Sequence, residues 1–358
     1  MLRLVQTVQS TSISTPITCI RSRISCTPLS RRIPSTCPTR FVPSRPYSVA
    51  PSAPPITAQR ALLYVPGSNP KQLAKALGGA LGTRQAQPDV LILDLEDSVR
   101  TEKKAEARRN ILEALEARHG GSSQNFVRIN SRQGGLDDLE VLLKTSRLEG
   151  LVLPKVDSAN DVQLVDRFID EHASDEVKRN LRIIASIESP MALLNLQAIA
   201  TSSSRISSLL FAAEDYCSAS NLIRTPSRRE MLFARSSVVT VAKAYGLKAV
   251  DLVCVKYKGE EAEAALGEES REGRELGFDG KQAIHPAQVE PIQASFTPSE
   301  SEIQRALDIL SNYAALSSKG AGAYGLANQD GSTSMIDAPM LLQAQGVLAQ
   351  ARAAGIET

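Results

Sequence analysis

Two short apolar runs near the middle of the chain are each followed by carboxylates. Ile183–Ile187 precedes Glu188, and Leu209–Ala213 precedes Glu214 and Asp215. Short apolar runs that alternate with helical patterns indicate buried parallel strands. If the two strands are neighbours in a barrel, Glu188 and Asp215 point into one mouth, where barrel active sites are built. Two carboxylates with open positions for water and substrate suit Mg²⁺; the alternative is two acids that only cap helices.

Other apolar runs end in charged residues of both signs. Val90–Leu95 contains Asp94 and is followed by Glu96 and Asp97, and strand alternation places Asp94 and Glu96 on one side. Crowded carboxylates need a cation, and these could hold waters bound to a metal, although Asp97 or Ser98 could instead cap the next helix.

A single arginine interrupts the apolar run Phe126–Asn130. Arg128 is rarely buried in such a position without a partner, and its fork suits a carboxylate or a developing enolate oxygen. A structural ion pair with Glu96 is a compatible alternative. Pro154-Lys155, after another strand, is a weaker signal of the same kind.

The loop after the first strand predicts an anion site. Tyr64 precedes Pro66-Gly67-Ser68-Asn69, and Lys71 and Lys75 share one face near the start of the next helix. Cations are unfavourable near the N-terminus of a helix, because the helix dipole is positive there. A phosphate-bearing ligand held by the two lysines and the helix N-terminus would offset this. The alternative is that both lysines are solvated surface residues. His285, in Ile284-His285-Pro286, is the histidine expected at the mouth, with a core or capping role as the alternative.

Eight strand patterns alternate with helical ones from Arg60 onward. This arithmetic predicts a (β/α)8 TIM barrel, and a doubly wound sheet is less favoured because no Gly-rich dinucleotide motif follows the first strand. The predicted strands are Ala61–Val65, Val90–Leu95, Phe126–Asn130, Leu151–Lys155, Ile183–Ile187, Leu209–Ala213, Ala249–Val255 and Gln282–His285. Predicted helices include Lys103–Arg118, Ala159–His172 and Arg228–Ala244.

The two ends of the chain differ from the barrel. Residues 1–47 contain seven Arg, no Lys and no acid, which is typical of a mitochondrial transit peptide and predicts a matrix protein. Residues 48–59 are a predicted linker and 60–297 the catalytic barrel. Residues 298–358 are a predicted helical extension: a helix capped by Ser299 runs to about Ser317, a Gly-rich link and a polar turn follow, and a last helix begins near Ala338. Being too small for its own core, this extension must pack on the barrel or on another subunit.

Composition excludes several functional classes. Of 41 Lys and Arg residues, the 34 outside the first segment face 39 acidic residues, and no basic stripe predicts nucleic-acid binding. No apolar run has the length of a membrane span. Cys217 and Cys254 have no metal-ligand spacing, and no Ser-His-Asp triad or cysteine nucleophile is evident. Carboxylates for a metal, one arginine and cations for a phosphate together suit enolate chemistry next to a carbonyl.

Eight motifs in order resemble the citrate-lyase-beta-like family of the HpcH/HpaI aldolase/citrate lyase superfamily. They run from about Arg60 to Gln345 and read RALLYVPGSNPKQLAKAL, LILDLEDSV, FVRINS, LVLPK, IESPMALLN, AAEDY, LGFDGKQAIHPAQV and SMIDAPML. The resemblance implies a Mg²⁺-dependent TIM barrel that breaks or forms a C–C bond between an acyl-CoA enolate and a 2-oxo acid. It also implies a homotrimer whose C-terminal segment lies across a neighbouring subunit.

The resemblance assigns roles to particular residues. Glu188 and Asp215 would bind Mg²⁺, and Arg128 would bind carbonyl and carboxylate oxygens of the substrate. Tyr64, Lys71 and Lys75 would contact CoA, and Ile284 and His285 would line the substrate site. Asp337, which the residues alone indicate only as a helix N-cap, would be the catalytic acid/base supplied by the adjacent chain.

The expected reaction is cleavage of citramalyl-CoA to acetyl-CoA and pyruvate, with reverse malate or methylmalate synthase activity. Ala192, Ala212 and Asn221 stand where the family usually has Gly, and their added volume near the metal loops leaves the acceptor open between pyruvate and glyoxylate. Asn tolerates the left-handed backbone that Gly would supply. The alternatives are a malyl-CoA lyase, a CoA-independent 2-oxo-acid aldolase and a non-catalytic barrel.

Overall fold

The computed structural model describes residues 58–79, 87–117, 121–317, 324–327 and 333–358. The predicted transit peptide, most of the predicted linker and the polar turn Asn328–Ser332 lie outside these residues. Within them, no helix is long and apolar enough to cross a membrane.

Eight parallel strands close into a barrel in chain order, β1 to β8, so the predicted fold is confirmed. The strands are β1 Ala61–Pro66, β2 Val90–Asp94, β3 Gln124–Arg128, β4 Gly150–Leu153, β5 Arg182–Ile187, β6 Ile206–Phe211, β7 Lys248–Asp251 and β8 Gly280–Ala283. Hydrogen-bonded pairing runs from β1 through β8 and closes between Ala61 and Lys281. Closure leaves no free strand edge, so every backbone group of the sheet has a partner.

Helices surround the barrel and follow the strands. They are α1 Pro70–Leu77, α2 Lys104–Glu116, α3 Gln133–Leu142, α4 Ala159–His172, α5 Asp175–Asn180, α6 Pro190–Leu194, α7 Leu196–Ala200, α8 Ala213–Ser220, α9 Leu232–Ala244, α10 Glu260–Leu276 and α11 Val289–Phe296. Local sequence explains the starts of several of them. Ser158 and Asp161 form a capping box on α4, and Asn69 accepts from the main-chain N–H of Gln72 to cap α1.

Two apolar layers hold the barrel. The larger lies between the sheet and the helices, and the smaller fills the barrel with Leu62, Val90, Ile92, Phe126, Val152, Ile184, Leu210 and Val250. Gly150 is required by this inner layer, because a Cβ there would lie 2.1 Å from the Phe126 ring. The barrel below the mouth is therefore a packed core and not a channel.

Several predicted boundaries were wrong in detail. β4 ends at Leu153 and β7 at Asp251, so Lys155 and Val255 lie in loops. α8 begins at Ala213, which places Asp215 on the first turn of a helix and not at a strand end. A helix can begin directly after a buried strand because apolar residues suit both, and only the hydrogen bonding distinguishes them.

The C-terminal extension contains α12 Glu300–Ser317 and α13 Ala338–Ala353, as predicted. The link between them was predicted without strands, yet β9 Tyr324–Ala327 and β10 Thr333–Ile336 pair in an antiparallel sheet. Gly325 weakened the strand signal of β9 and Ser334 that of β10, although the remaining residues of both strands are apolar, aromatic or β-branched. Buried residues of α12, β10 and α13 form a small cluster of their own (Ala306, Ile309, Ile336, Ala344 and Leu348), which corrects the expectation that the extension has no core.

Candidate active site at the carboxyl ends of the strands

The register of the first strands places an acid beside the arginine. Asp94 is the partner of Arg128 across β2 and β3. The guanidinium donates from Nε to Oδ1 at 2.6 Å and from Nη2 to Oδ2 at 2.8 Å, a bidentate pair. Burial acts to raise the pKa of Asp94, but the hydrogen bonds and charge of Arg128 outweigh it and lower that pKa below its ordinary value. Asp94 is therefore a buried, ionised anchor for Arg128.

Glu96 and Asp97, the two carboxylates that follow β2, both lie near Arg128 and Lys155. Glu96 is 6% exposed and lies 3.2 Å from Nη1 of Arg128 and 2.5 Å from Nζ of Lys155. Burial raises its pKa despite these two cations. Asp97, with its side chain 57% exposed, also lies 3.2 Å from Nη1 of Arg128. The predicted ion pair between Arg128 and Glu96 is present, but Asp94 is the stronger partner.

Lys104 fixes the loop that carries these acids. Its Nζ donates to the main-chain oxygens of Leu95 and Glu96, both at 2.7 Å, and to Oδ1 of Asn130 at 2.6 Å. The alternative role of Asp97 or Ser98 as the next helix cap is not observed, because the turn Thr101–Lys103 begins after Arg100. The loop is positioned by the half-buried cation of Lys104 and not by helix capping.

Tyr64 lies inside the mouth. Its hydroxyl donates to Oε1 of Gln282 at 3.0 Å, and the guanidinium of Arg128 lies 4.9 Å from its ring centroid. Burial raises its pKa well above the ordinary value. Gln282, in turn, donates to the main-chain oxygens of Phe211 and Asp251 at 3.0 and 3.1 Å. Gln282 is a site residue that the sequence alone did not indicate, although a polar side chain in a strand was the available signal.

Glu188 is buried at the end of β5, with 6% of its surface exposed. Burial raises its pKa to about 7, and the negative charges of Glu96 and Asp215 act in the same direction. Hydrogen bonds from the Ser186 side chain and the main-chain N–H of Lys155 oppose this shift only in part. The structure thus brings Glu188 and Asp215 close enough for their charges to interact, although Asp215 lies on the first turn of α8 and not at the strand end that the sequence predicted.

Adjacent acids on α8 differ in their partners. Glu214 forms an ion pair with Arg224, whereas Asp215 is exposed and forms no ion pair among the described residues. Asn221 ends this helix with φ 54° and ψ 38°, the left-handed conformation expected where the family has Gly. Ala192 is fully buried on α6 in the layer between the sheet and the helices, and Ala212 is half-buried before α8 and packs against the inner layer of the barrel.

We call the residues Asp94, Glu96, Asp97, Arg128, Lys155, Glu188 and Asp215 the mouth cluster. It contains five carboxylates and two cations, and such an excess requires a further cation or protons. In the described parts of the chain, no group of three or more His, Cys, Asp or Glu side chains is arranged to hold a metal. Glu188 and Asp215, with waters at the other positions, could hold Mg²⁺, which usually keeps several waters.

The remaining predicted site residues lie apart from this cluster. Lys71 and Lys75 are exposed on α1 and form no described ion pair. Nδ1 of His285 accepts from the main-chain N–H of Ala287 at 3.2 Å, which is the capping role left open above. Ile284, 44% exposed, donates its main-chain N–H to Gln288.

Asp337 is the N-cap of α13, where its Oδ1 accepts from the main-chain N–H of Met340 at 3.3 Å. The contacts that the structure describes for it are within its own helix. Among the described residues, no hydrogen bond or ion pair joins Asp337 to the mouth cluster.

A closed barrel of eight parallel strands with an acidic cluster and an anchored arginine at their carboxyl ends defines an α/β-barrel enzyme. The profile of the HpcH/HpaI aldolase/citrate lyase family matches residues 60–286. The chain belongs to that family and is an enzyme of the carbon–carbon lyase type.

Individual relatives agree with this assignment. The chain is 33% identical over 302 residues to mitochondrial citramalyl-CoA lyase of Homo sapiens, over 81% of this chain and 84% of that protein. It is 30% identical to citrate lyase subunit beta of Escherichia coli K12, over 83% and 95% of the two chains. CitE of Mycobacterium tuberculosis, solved in complex with magnesium, acetoacetate and coenzyme A, has a TM-score of 0.63 at 27% identity, over 82% and 98%.

Proposed function

We propose that this chain is a Mg²⁺-dependent acyl-CoA lyase that cleaves citramalyl-CoA to acetyl-CoA and pyruvate. The observation that carries the proposal is the position of Glu188, a buried carboxylate near Asp215, whose pKa is raised to about 7 by burial and by the negative charges of Glu96 and Asp215. Mg²⁺ held by Glu188 and Asp215 would favour the ionised form of Glu188. The magnesium and coenzyme A in the CitE structure, and the activity in the name of the human relative, support the same substrate class.

Each residue then has a chemical task. Mg²⁺, when bound, would act as a Lewis acid on substrate oxygens. Arg128, held by Asp94, would bind the carboxylate of the citramalyl group and share the charge that develops on the thioester oxygen. Tyr64, Lys71 and Lys75 would bind CoA, and Ile284 and His285 would line the pocket.

The bond changes balance without a redox partner. The hydroxyl proton leaves, the bond from the hydroxyl-bearing carbon to the thioester α-carbon breaks, and its electron pair forms the enolate of acetyl-CoA. The hydroxyl-bearing carbon becomes the carbonyl of pyruvate. Asp337 of a neighbouring subunit would protonate the enolate carbon, and in the reverse direction it would remove that proton.

This scheme requires a homo-oligomer, for which a trimer is our proposal, because the contacts of Asp337 lie within α13 of its own chain. We also propose the mitochondrial matrix as its location, from the Arg-rich first 47 residues and the mitochondrial relatives. Synthesis of malate from acetyl-CoA and glyoxylate is the second candidate, since the added methyl group of Ala212, which packs against the inner layer of the barrel, would narrow the acceptor side.

A coupled assay tests the proposal. The full chain is incubated with citramalyl-CoA and Mg²⁺, and released pyruvate is followed with lactate dehydrogenase. Pyruvate release that requires Mg²⁺ is expected. Absence of pyruvate release while CoA still binds would favour the glyoxylate reaction, and absence of CoA binding would favour the CoA-independent aldolase or a non-catalytic barrel.

Asp337→Asn tests the proton transfer separately from folding. Asn is as good an N-cap as Asp, so the unfolding temperature should not change while the rate falls by roughly a hundredfold or more. Asp308→Asn, on the exposed face of α12, is the matched control. An Asp337→Asn enzyme with full activity would remove Asp337 from the mechanism.

A further inference from the structure

Lys155 lies two residues after β4 and touches two acids of the mouth cluster through different atoms. Its main-chain N–H donates to the Glu188 carboxylate, and its Nζ lies 2.5 Å from Oε1 of Glu96. Its backbone is left-handed, with φ 53°, which is uncommon for a residue with a long side chain. That conformation lets the main chain face β5 while the side chain reaches back to the loop after β2.

The ammonium of Lys155 competes with Arg128 for the same carboxylates. Oε2 of Glu96 lies 3.2 Å from Nη1 of Arg128, while Oε1 is held by Lys155 at the shorter distance. Asp97 lies 3.2 Å from Nη1 and 3.9 Å from the Lys155 Nζ. Two cations therefore divide the negative charge of Glu96 and Asp97 between them.

The three nitrogens of Arg128 are not equally occupied. Nε and Nη2 are both committed to Asp94 at 2.6 and 2.8 Å. Nη1 makes two longer contacts, both at 3.2 Å, to Glu96 and Asp97, and no other ion pair within the described parts of the chain. Nη1 is thus the part of the guanidinium that can exchange a protein carboxylate for a substrate oxygen.

We propose that Lys155 is a positioning residue that keeps Nη1 of Arg128 available to the substrate. By neutralising Glu96, the ammonium of Lys155 weakens the attraction between this buried carboxylate and Nη1, which lies 3.2 Å from its Oε2. The inference rests on the proposed function, in which Arg128 binds a carboxylate or carbonyl oxygen of the 2-oxo acid. It gives Lys155 an effect on 2-oxo-acid binding without contact to the acid itself.

Lys155→Met removes the ammonium but keeps the main-chain N–H that binds Glu188. Nη1 of Arg128 then becomes the sole cationic partner of Glu96 and is lost to the ligand. Binding of pyruvate in the presence of Mg²⁺, measured by calorimetry, should weaken by roughly ten- to a hundredfold, the loss of one charge-assisted hydrogen bond. CoA binding should stay within about twofold, because this variant leaves α1 intact.

A second variant separates positioning from direct contact. Lys155→Met combined with Glu96→Gln removes the acid that captures Nη1, so pyruvate affinity should return to within about threefold of the wild type. Lys155→Arg should keep the wild-type affinity, since it keeps the charge. Lys103→Met, which removes a lysine paired with Glu106 on the surface, is the matched control and should change nothing.

The outcomes distinguish the inference from the proposed function. Unchanged pyruvate binding in Lys155→Met would overturn the inference, and so would a loss that Glu96→Gln does not restore, which would indicate direct contact or a purely structural role. A wild-type protein that fails to bind pyruvate with Mg²⁺ would overturn the proposed function and the inference together.

Discussion

Two groups of charged side chains in this barrel differ in their balance of positive and negative charge. Behind β7 and β8, three cations meet three acids; we call this group the ionic cluster, and it consists of Arg228, Arg235, Asp251, Glu269, Glu272 and Lys281. The mouth cluster has five carboxylates and two cations. An excess of negative charge, and not the burial of charge, therefore distinguishes the candidate active site.

The charges of the ionic cluster are paired with one another, although Oε2 of Glu269 accepts no hydrogen bond among the described residues. Arg235 and Asp251 are both fully buried and form a bidentate pair at 3.0 and 2.7 Å. Lys281, also fully buried, donates to the main-chain oxygen of Leu252 at 2.7 Å and pairs with Glu269 at 3.0 Å. Such groups hold α9 and α10 on the sheet and leave nothing for a ligand to neutralise.

Glu188→Gln should produce the largest effect, and on activity alone. It removes one of two carboxylates proposed for Mg²⁺, so the rate should fall about a thousandfold, since a metal ion contributes several kcal/mol to such a transition state. Stability of the metal-free protein should not fall, because the variant removes an under-compensated buried charge. Pyruvate release and urea unfolding are the measurements, with Glu171→Gln on the surface of α4 as control. A large loss of stability would mean that Glu188 is structural.

Arg235→Met should have the converse effect: it should lower the unfolding free energy and leave Mg²⁺ binding intact. It leaves Asp251 buried without its cation, which costs roughly 3–4 kcal/mol of unfolding free energy. The folded fraction should keep its affinity for Mg²⁺, because Arg235 lies outside the mouth cluster. Adding Asp251→Asn should recover part of the loss in urea unfolding, and Arg179→Met on exposed α5 should be neutral. No recovery in the double variant would contradict the charge argument.

The pH dependence of stability should come from the mouth cluster. Folding raises the pKa of Glu188 from 4.5 to about 7, so the folded state binds this proton more tightly than the unfolded state. The stabilisation is fully present below pH 4.5 and is lost as pH rises through 7, a decrease of up to about 3 kcal/mol in the metal-free protein.

Comparison of the wild type with Glu188→Gln separates the pH dependence due to Glu188 from that due to the other carboxylates. Urea unfolding at several pH values between 5 and 8 should show the two curves diverging with pH, and Mg²⁺ should reduce the divergence. Parallel curves would show that Glu188 titrates normally.

Substitution of Asn221 should produce the smallest effect, a change in stability alone. Asn221→Ala forces an unfavourable left-handed conformation at the end of α8 and should cost about 1 kcal/mol, whereas Asn221→Gly should be neutral or slightly stabilising. Urea unfolding measures both. Equal stability of the Ala and Gly variants would mean that the backbone relaxes to another conformation.

The sequence alone predicted much of this molecule. Eight apolar runs, alternating with helical patterns, were enough for the barrel, because periodicity and burial are local properties of the chain. Glu188, Asp94 and Arg128 were found because strand alternation and the carboxyl ends of parallel strands determine where such side chains point. The capping of α12 by Ser299 and Glu302 was also predicted from the sequence.

Tertiary structure decided how the charges are shared. That Arg128 commits two nitrogens to Asp94, that Lys155 takes Glu96, and that Gln282 holds Tyr64 all depend on contacts between residues distant in sequence. The raised pKa of Glu188 likewise needs burial and neighbouring charges that only the closed barrel provides. Sequence determines which groups are present and on which face they lie, whereas Coulomb energies depend on distances and dielectric that folding alone sets.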